Sequence, residues 1–289
     1  MSTVKIPDAG GDTLTFLQVQ GRLYPAFPPE AVMNMGTFKI RHDDVIVCAY
    51  PKSGTHWVWE IVRMLQAGTT EVESAEKDDG MMELFDQDHF DQLPSPRALN
   101  THLLFTQLPP EVTQKKNKLI FLSRNPKDLF VSYYHHHTGL ADLYNYSGKW
   151  RNYLPLVLDG RVDYGSWFDY MREWEKAIQN NPDVPVLSVM YEDIKEDPYK
   201  EVRKISDFLG KNYPSDFLHR VCDSCSFSKM REQKGQYDTS PDGLPVMYRK
   251  GQVGDWKNMF TVSMSEWFDR VYIDKMEGST LKFRYTLED

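Results

Sequence analysis

Short runs of consecutive apolar residues are spaced along the chain and are separated by stretches with helical periodicity. The first run lies within residues 44–50, where it follows Asp44, the second covers 119–122, and the third lies within 184–191, where Ser188 interrupts it. A short run that is apolar throughout and rich in β-branched residues is typical of a strand buried on both faces. These runs therefore predict strands in the interior of a parallel sheet.

A helical pattern follows each of these runs. In residues 55–65 the apolar positions recur at three- and four-residue spacings, and Pro126 opens a second helical segment. In the third segment Asp197 is placed to cap the helix, Pro198 occupies its first position and Gly210 ends it. Repeated strand–helix units predict an α/β fold with a central parallel sheet flanked by helices on both faces.

Polar residues follow the three predicted strands, at residues 50–55, 123–125 and 191–193. Because ligands of such sheets bind beyond the carboxyl ends of the strands, these segments are expected to meet at one site. Residues 76–97 and 232–245 are rich in Asp, Gly, Ser or Pro and are predicted to be loops. Long loops in a compact α/β domain often cover a binding site.

Composition narrows the class of protein. The 289-residue chain carries 34 Lys and Arg against 42 Asp and Glu, and its net charge of −8 argues against nucleic-acid binding. A hydrophobic share of 40% is enough for a core, and neither a signal peptide nor an apolar run of about 18 residues is visible. Three cysteines indicate a reducing compartment. We expect one cytoplasmic domain over residues 1–289, with no membrane or nucleic-acid partner.

Residues 51–55, with the sequence Pro-Lys-Ser-Gly-Thr, join the first predicted strand to its helix. Backbone N–H groups and the helix dipole form an anion site at such a junction, where Lys52 adds charge and Gly54 permits close approach. The segment lacks the G-x-x-x-x-G-K-[ST] pattern of nucleotide kinases. On these five residues alone, an ordinary strand–helix turn with a surface lysine is an equally good interpretation.

Five separate motifs, in order, resemble those of the cytosolic sulfotransferases. They are YPKSGTHW at residues 50–57, RNPKD at 124–128 with Ser132, YED at 191–193, RKGQVGDW at 249–256, and a K-x-x-x-T-V-x-x-x-E pattern made by Lys257, Thr261, Val262 and Glu266. The resemblance covers nearly the whole chain and implies a P-loop-like phosphosulfate-binding loop. It also implies transfer of a sulfonate group from 3′-phosphoadenosine 5′-phosphosulfate (PAPS) to a hydroxyl or amine of a small molecule. The last motif implies a homodimer.

The resemblance further implies which residues bind the donor. The N–H groups of residues 53–57 would bind the 5′-phosphate, and Arg124, Ser132 and Arg249 would bind the 3′-phosphate, whose oxygens match a guanidinium. Trp57 and Phe227 would enclose the adenine, although core packing is the commoner role of such aromatic residues. The full predicted donor set is Lys52, Ser53, Gly54, Thr55, His56, Trp57, Arg124, Ser132, Tyr191, Cys225, Phe227, Arg249, Lys250 and Gly251.

Sulfonate transfer needs a general base for the acceptor's proton. Thr101 and His102 resemble the family's Thr-His element, which implies His102 as that base, and imidazole titrates near neutral pH. Lys52 would stabilise charge on the departing adenosine 3′,5′-bisphosphate. The predicted catalytic set is His102, Lys52, Asn100 and Ser132.

Three residues depart from the family's pattern. Asn100 stands where the family usually has a lysine and supplies no charge, Cys225 replaces a Thr or Ser, and His56 replaces a second Thr. A thiol is also a poorer hydrogen-bonding partner than a hydroxyl. A donor-binding homologue without catalytic activity therefore remains an alternative, as does an ATP-dependent phosphotransferase.

The acceptor site is carried over from the family by approximate position. The predicted residues are Phe16, Phe27, Phe85, Phe90, His136, Tyr146, Met247 and Tyr248. Their aromatic character favours a flat or apolar acceptor, such as a phenol, a sterol or an alcohol, without deciding among them.

Two short motifs raise the possibility of a metal site. Cys222 and Cys225 form a C-x-x-C pair, but no second pair accompanies them. Residues 135–137 are three consecutive histidines, and adjacent side chains on a helix point in different directions. We therefore expect no metal ion.

Overall fold

The computed structural model describes residues 1–71, 76–235, 239–240, 243 and 245–287. The β-strands are β1 (Ser2–Pro7), β2 (Thr13–Val19), β3 (Arg22–Tyr24), β4 (Val45–Ala49), β5 (Ala98–Thr101), β6 (Lys118–Ser123) and β7 (Val186–Met190). The α-helices are α1 (Pro29–Met33), α2 (Thr55–Ala67), α3 (Gln87–Gln92), α4 (Pro110–Lys115), α5 (Pro126–Gly139), α6 (Ala141–Tyr144), α7 (Trp150–Leu158), α8 (Trp167–Asn180), α9 (Tyr191–Glu196), α10 (Pro198–Leu209), α11 (Ser215–Ser224), α12 (Phe227–Lys234) and α13 (Val262–Lys275). Short 3₁₀ turns lie at Met35–Thr37, Lys77–Gly80, Phe105–Gln107 and Asp255–Asn258.

Four strands form the central sheet, in the order β5-β4-β6-β7, and every neighbouring pair is parallel. The three strands predicted from apolar runs are β4, β6 and β7, and the predicted parallel sheet is confirmed. The edge strand β5 was not predicted, because its four residues include the polar Asn100 and Thr101 and form no apolar run.

Helices cover both faces of this sheet, as predicted. Side chains alternate along β4: Ile46 and Cys48 belong to one buried cluster, whereas Val45 and Val47 belong to another. The first cluster contains side chains of α5, α7 and α8, and the second contains those of α2, α10 and α11. Strands buried on both faces read as continuous apolar runs, which explains why these strands could be recognised.

The ends of α10 follow the expected local chemistry. The Asp197 side chain accepts a hydrogen bond from the Lys200 backbone N–H at 3.0 Å, and Pro198 occupies the first turn. Gly210 ends the helix in the left-handed conformation, with φ of 77°. These contacts satisfy backbone groups that a helix end otherwise leaves unpaired.

Two regions differ from the sequence-based expectation. Strands β1, β2 and β3 form a separate antiparallel sheet that was not predicted. The segment 76–97 was predicted to be a loop, but it contains the turn Lys77–Gly80 and helix α3. Helix α3 forms because the Asp86 side chain accepts the His89 N–H at 3.2 Å and Phe90 is buried. The second predicted loop covers residues 232–245. Its first residues belong to α12, which ends at Lys234, and residues 236–238, 241–242 and 244 lie outside the described residues.

Candidate active site

The segment between β4 and α2 turns sharply at the carboxyl end of the sheet. Lys52 has φ of 67° and Gly54 has φ of 104°. A Cβ at Gly54 would lie 2.7 Å from Cδ2 of Tyr191, so this position requires glycine. The buried Thr55 hydroxyl at the start of α2 has no hydrogen-bond partner among the described residues. The positive end of the helix and an unpaired hydroxyl therefore lie together, as an anion site requires.

Arg124 follows β6 and joins three segments that are distant in sequence. Its Nη1 donates to the Lys52 carbonyl at 3.1 Å, and its Nη2 donates to the Gln252 carbonyl at 3.4 Å. Its guanidinium carbon lies 4.3 Å from the ring centroid of Tyr191. Within the described parts of the chain, its buried Nε has no partner. The segments that follow the three predicted strands therefore do meet, as expected.

The segment 249–256 is fixed to the sheet by Asp128. The Asp128 carboxylate accepts the N–H groups of Gly254 at 2.7 Å and Trp256 at 2.8 Å. Arg249 and Lys250 each donate to the Asp255 carboxylate at 2.6 Å. Although burial opposes ionisation, the hydrogen bonds from Lys250 and Arg249 hold the pKa of Asp255 well below its usual range. This segment brings two further cations to the edge of the sheet.

These segments enclose a cavity with a volume of about 240 Å³. Every residue of the predicted donor set except Ser53 lines it. Ser53 is buried beneath the turn, where its hydroxyl donates to the Tyr50 carbonyl at 2.8 Å. Five positively charged side chains line the donor end of the cavity: Lys52, Arg124, Lys195, Arg249 and Lys250. An acidic chain thus contains a locally cationic cavity.

Aromatic rings border the same end of the cavity. Trp57 and Tyr191 meet edge to face, with their ring centroids 5.6 Å apart. Gly251 has φ of 63°, and a Cβ there would lie 2.3 Å from Cδ2 of Phe227. Glycine therefore lets the 249–252 segment lie directly against the Phe227 ring. Trp57 and Phe227 both line the cavity, which places two apolar rings beside its cationic groups.

His102 follows β5 and lines the same cavity, with its ring centroid 5.2 Å from that of Tyr164; we call the part of the cavity around these two residues the His102 end. Its backbone N–H donates to Glu83 Oε1 at 2.6 Å, and its ring Nδ1 lies 2.7 Å from the Ala49 carbonyl oxygen. A carbonyl oxygen only accepts, so Nδ1 carries the hydrogen and Nε2 keeps its lone pair. Burial, with the positive charge of Lys77, lowers the pKa of His102 to about 3. The imidazole is therefore neutral at pH 7 and able to accept a proton.

A chain of hydrogen bonds leads from Lys52 to a buried carboxylate. Lys52 Nζ lies 3.4 Å from His136 Nδ1, and His136 Nε2 lies 3.1 Å from the Tyr144 hydroxyl. Tyr144 in turn donates to Asp163 Oδ2 at 3.0 Å. An ammonium group only donates and a carboxylate only accepts, so every bond in this chain points from Lys52 towards Asp163. We call these four residues the Lys52–Asp163 chain.

A family model described as "Sulfotransferase domain" matches residues 42–280. This match covers well over half of the chain and includes the four strands of the central sheet with the segments that follow them. The chain belongs to the sulfotransferase family. The resemblance seen in the five sequence motifs is thereby confirmed.

Curated relatives of this sulfotransferase match most of its length. Sulfotransferase 1B1 of Canis lupus familiaris is 38% identical over 269 residues, which cover 87% of this chain and 89% of the relative. Sulfotransferase 1A1 of Mus musculus is 35% identical over 278 residues, which cover 88% of this chain and 92% of the relative. The chain therefore corresponds to nearly the whole of each relative.

Solved structures show the same architecture. The crystal structure of mouse sulfotransferase SULT7A1 complexed with PAP has a TM-score of 0.76 and 33% sequence identity, and the match covers 91% of this chain and 95% of that one. Retinol dehydratase, in complex with androsterone and inactive cofactor PAP, has a TM-score of 0.74 at 20% identity, covering 94% and 92% of the two chains. The second match supports the fold alone.

The predicted acceptor residues of the sulfotransferase divide into two groups. Phe27, His136, Met247 and Tyr248 line the cavity. The other four do not: Phe16, Phe90 and Tyr146 are buried in the core, and Phe85 stacks on His89 with ring centroids 4.0 Å apart. Tyr146 is also fixed by donating to Asp8 at 2.8 Å. Aromatic residues occur in the core as well as in cavity walls. Neither aromatic character nor approximate position in the sequence was therefore enough to identify the residues that line the cavity.

Of the four predicted catalytic residues, Asn100 alone lies outside the wall of the cavity. It is fully buried and does not line the cavity, whereas Lys52, His102 and Ser132 do. Its Nδ2 donates to the Lys77 carbonyl at 2.7 Å. The predicted catalytic role of Asn100 is therefore not supported, because its side chain packs against the turn that contains Lys77 instead of lining the cavity.

The polar and charged residues that accompany His102 in the cavity wall were missed in the sequence: Lys77, Asp78, Tyr144, Asp163 and Tyr164. They lie in a turn, in the short helix α6 and in the segment before α8, and they form no motif with conspicuous spacing. The one local signal is Ser166, which caps α8 and marks the preceding residues as the approach to a helix. Such a signal predicts a turn and carries no information about a cavity.

The metal alternatives receive no support from the described residues. Among them, no group of three or more His, Cys, Asp or Glu side chains is placed to hold a metal ion. Cys222 and Cys225 are free thiols, and burial raises the pKa of Cys222 to about 11. Within the described ranges, no helix is both long enough and apolar enough to cross a membrane.

Proposed function

We propose that this sulfotransferase transfers a sulfonate group from PAPS to a hydroxyl or amine of a small acceptor by in-line displacement, with His102 as the general base. The observation that carries the proposal is the His102 ring, whose proton-accepting Nε2 belongs to a residue lining the same cavity as Lys52, Thr55 and Arg124. A relative of similar sequence has been crystallised with PAP, which is consistent with this donor.

The cationic end of the cavity fits the donor's two phosphate groups. The Thr55 hydroxyl, which is unpaired within the described residues, would bind the 5′-phosphate together with the N–H groups at the start of α2. Arg124 and Arg249 line the cavity and carry guanidinium groups whose geometry suits the oxygens of the 3′-phosphate. The Ser132 hydroxyl and the backbone of residues 250–251 would complete that second phosphate site.

The aromatic rings beside these cations fit the donor's base. The adenine would lie between Trp57 and Phe227, with Tyr191 at its edge, and all three side chains line the cavity. The left-handed backbone at Gly251 supports this position, because it brings the 3′-phosphate segment directly against the Phe227 ring. One cavity end can therefore hold both the base and the phosphates of the donor.

Transfer of the sulfonate group needs a base that removes the acceptor's proton and a cation that stabilises the charge on the leaving group. His102 Nε2 takes the proton from the acceptor as the acceptor's oxygen or nitrogen bonds to sulfur. The bond between sulfur and the bridging oxygen breaks, and adenosine 3′,5′-bisphosphate leaves with the electron pair. Lys52 donates a hydrogen bond to that oxygen and stabilises its negative charge. The negative sulfonate near His102 opposes the effects that lower the pKa of this imidazole, which improves it as a base.

The acceptor binds next to His102 in this proposal. The hydroxyls of Tyr144 and Tyr164 lie at this end of the cavity. Apolar side chains that suit a flat or aliphatic body also line it: Phe27, Met81, Leu140, Leu143 and Met247. We therefore propose a phenol or an alcohol with an apolar body as the acceptor class.

A screen of acceptors with sulfur-labelled PAPS tests the proposal. Labelled product should form with at least one phenol or alcohol, and the His102→Ala variant should lose at least about 100-fold in turnover, as expected for general base catalysis. His219→Ala is the matched control, since His219 stacks on Tyr199 and does not line the cavity. Binding of bisphosphate without transfer to any acceptor would instead support a non-catalytic homologue. Near-normal turnover in His102→Ala would contradict the assignment of the base.

We also propose a homodimer through Lys257, Thr261, Val262 and Glu266. Val262 is 78% exposed at the start of α13, where Thr261 caps the helix by accepting the Met264 N–H at 3.3 Å. Val262→Glu should give a monomer in light scattering, because a charge would be buried in the interface. Ile273→Glu, at a residue 73% exposed on the same helix, should leave the mass unchanged. An unchanged mass for Val262→Glu would contradict this interface.

A further inference from the structure

Lys77 is a buried cation at the His102 end of the cavity, and the mechanism above gives it no role. It is 7% exposed and lines the cavity together with His102. Its Nζ lies 2.9 Å from Asp78 Oδ1 and 3.5 Å from the Met81 sulfur. Pairing with Asp78 accounts for the burial of this charge, but it leaves open what the ammonium does in the wall of the cavity.

The fold places Lys77 against the strand that leads to His102. The Asn100 side chain donates to the Lys77 carbonyl at 2.7 Å, and the Met82 N–H donates to the Asn100 carbonyl at 3.0 Å. The turn approaches β5 so closely that a Cβ at Gly80 would lie 2.5 Å from the Ala98 carbonyl oxygen. Asn100 lies in β5, and His102 directly follows that strand. The Lys77 backbone is therefore bound to a side chain two residues before His102.

The charge of Lys77 acts on the histidines of the cavity. After burial, it is the largest cause that lowers the pKa of His102 to about 3, and it also lowers the pKa of His56. Lys77 and His102 also line the same cavity. Its neighbour Asp78 is partly buried, and although burial opposes ionisation, Lys77 lowers the pKa of that carboxyl to about 2. The ion pair thus keeps the Asp78 carboxyl ionised beside Lys77.

Resting on the proposed function, we propose that Lys77 is a catalytic residue that donates a hydrogen bond to the sulfonate oxygens during transfer. Lys77 supplies positive charge from the turn, whereas Asn100 serves to fix the Lys77 backbone. No bond to Lys77 forms or breaks, and its protons stay on Nζ. The acceptor's proton still goes to His102, and the electron pair still leaves with the bisphosphate. Lys52 and Lys77 would then contact the leaving oxygen and the transferred group respectively.

The first experiment compares Lys77→Met with Lys77→Arg in steady-state kinetics. Losing one charge-assisted hydrogen bond should lower the kcat of Lys77→Met by roughly 10- to 100-fold. The bisphosphate Kd, measured by calorimetry, should stay nearly unchanged, since the donor's phosphates bind at the other end of the cavity. Lys77→Arg keeps the charge and should retain most of the activity. Lys39→Met, at a side chain that is 70% exposed, controls for the change in net charge.

The second experiment restores the charge from the strand. In the double variant Lys77→Met with Asn100→Lys, the new ammonium starts from the residue that now contacts the Lys77 backbone, so much of the lost kcat should return. A merely structural role for Lys77 predicts no such recovery. An unchanged kcat in Lys77→Met, or a failed recovery in the correctly folded double variant, would overturn the proposal.

A third measurement does not depend on turnover. The pKa of the His102 imidazole, followed by NMR in the protein without donor, should rise in Lys77→Met because a nearby positive charge is gone. An unchanged pKa would show that Lys77 is not close to His102 and would overturn the proposal. Failure of the proposed function gives a different result: the unmodified protein would transfer no sulfonate, or His102→Ala would stay active.

Discussion

The two ends of the cavity are built in different ways. At the donor end, the residues come from segments that directly follow β4 and β6, from α9 after β7, and from the segment 249–256 that Asp128 fixes to the sheet. At the His102 end, Lys77, Asp78, Tyr144 and Asp163 come from turns and short helices outside the sheet. The donor end therefore depends on local geometry at strand ends, and the His102 end depends on long-range packing.

The two ends also differ in how their charges are balanced. Arg124 contacts two carbonyl groups and a ring, and within the described residues its Nε has no partner. At the other end, the Asp163 carboxylate accepts hydrogen bonds from Tyr133, His137 and Tyr144, so its charge is fully used inside the protein. Arg124 therefore keeps a donor for a ligand, whereas the Asp163 carboxylate is engaged in contacts within the protein.

The largest effect should come from removing charge at the donor end. Arg124→Ala should weaken bisphosphate binding by about 3 kcal/mol, roughly 100-fold, because charged hydrogen bonds to the 3′-phosphate are lost. Isothermal calorimetry measures this change, and circular dichroism checks the fold. Arg220→Ala, at a side chain that is 56% exposed and paired with Asp216, is the control. A bisphosphate affinity like that of the control would show that Arg124 is a structural residue.

Glu83 tests the His102 end through stability. Burial raises the pKa of Glu83 from 4.5 to about 7, against the opposing hydrogen bond from the His102 backbone N–H. The folded state therefore binds more protons than the unfolded state between these values, and the free energy of unfolding falls as pH rises through this window. This difference in the pKa of Glu83 between the folded and unfolded states should lower the free energy of unfolding by about 3 kcal/mol between pH 4.5 and pH 8.

Glu83→Gln isolates this contribution. Gln can still accept the His102 N–H but carries no charge, so the variant should gain stability relative to the unmodified protein as pH rises above 5. Chemical denaturation at pH 5 and at pH 8 measures the difference in the free energy of unfolding between the variant and the unmodified protein at each pH. Glu277→Gln, at an exposed residue, is the matched control and should differ from the unmodified protein by nearly the same amount at both pH values. A Glu83→Gln difference that does not change with pH would contradict the raised pKa.

Much of the fold could be predicted because its strands are buried on both faces. β4 and β6 read as apolar runs, and the cap residues Asp197 and Gly210 mark the ends of α10. β2 was missed although Leu14 and Phe16 alternate with threonines, a pattern typical of a strand with one buried face. Short apolar runs are thus easier to recognise than half-buried strands.

The donor end could be predicted because its residues lie in contiguous motifs that resemble a known family. The His102 end could not, since Lys77 reaches the cavity only when its turn packs on β5 through Asn100. Phe16 shows the opposite error: an aromatic residue assigned to the acceptor site is 1% exposed in the core. Contacts between distant segments determine whether Lys77 and Phe16 line the cavity. Such contacts cannot be predicted from the local patterns of a single sequence.

The smallest effect should come from the Lys52–Asp163 chain, which connects the two ends. Tyr144→Phe removes the hydroxyl that joins His136 to Asp163, so Lys52 should be less well oriented and kcat should fall by roughly fivefold, about 1 kcal/mol. Tyr153→Phe is a matched control, because the Tyr153 hydroxyl binds His137 Nδ1 at 2.8 Å in the same buried network but outside the path to Lys52. Steady-state kinetics should show a lower kcat for Tyr144→Phe alone, with the bisphosphate Kd unchanged in both variants. Equal losses of kcat would mean that the network stabilises the fold without orienting Lys52, and the two ends would then act independently.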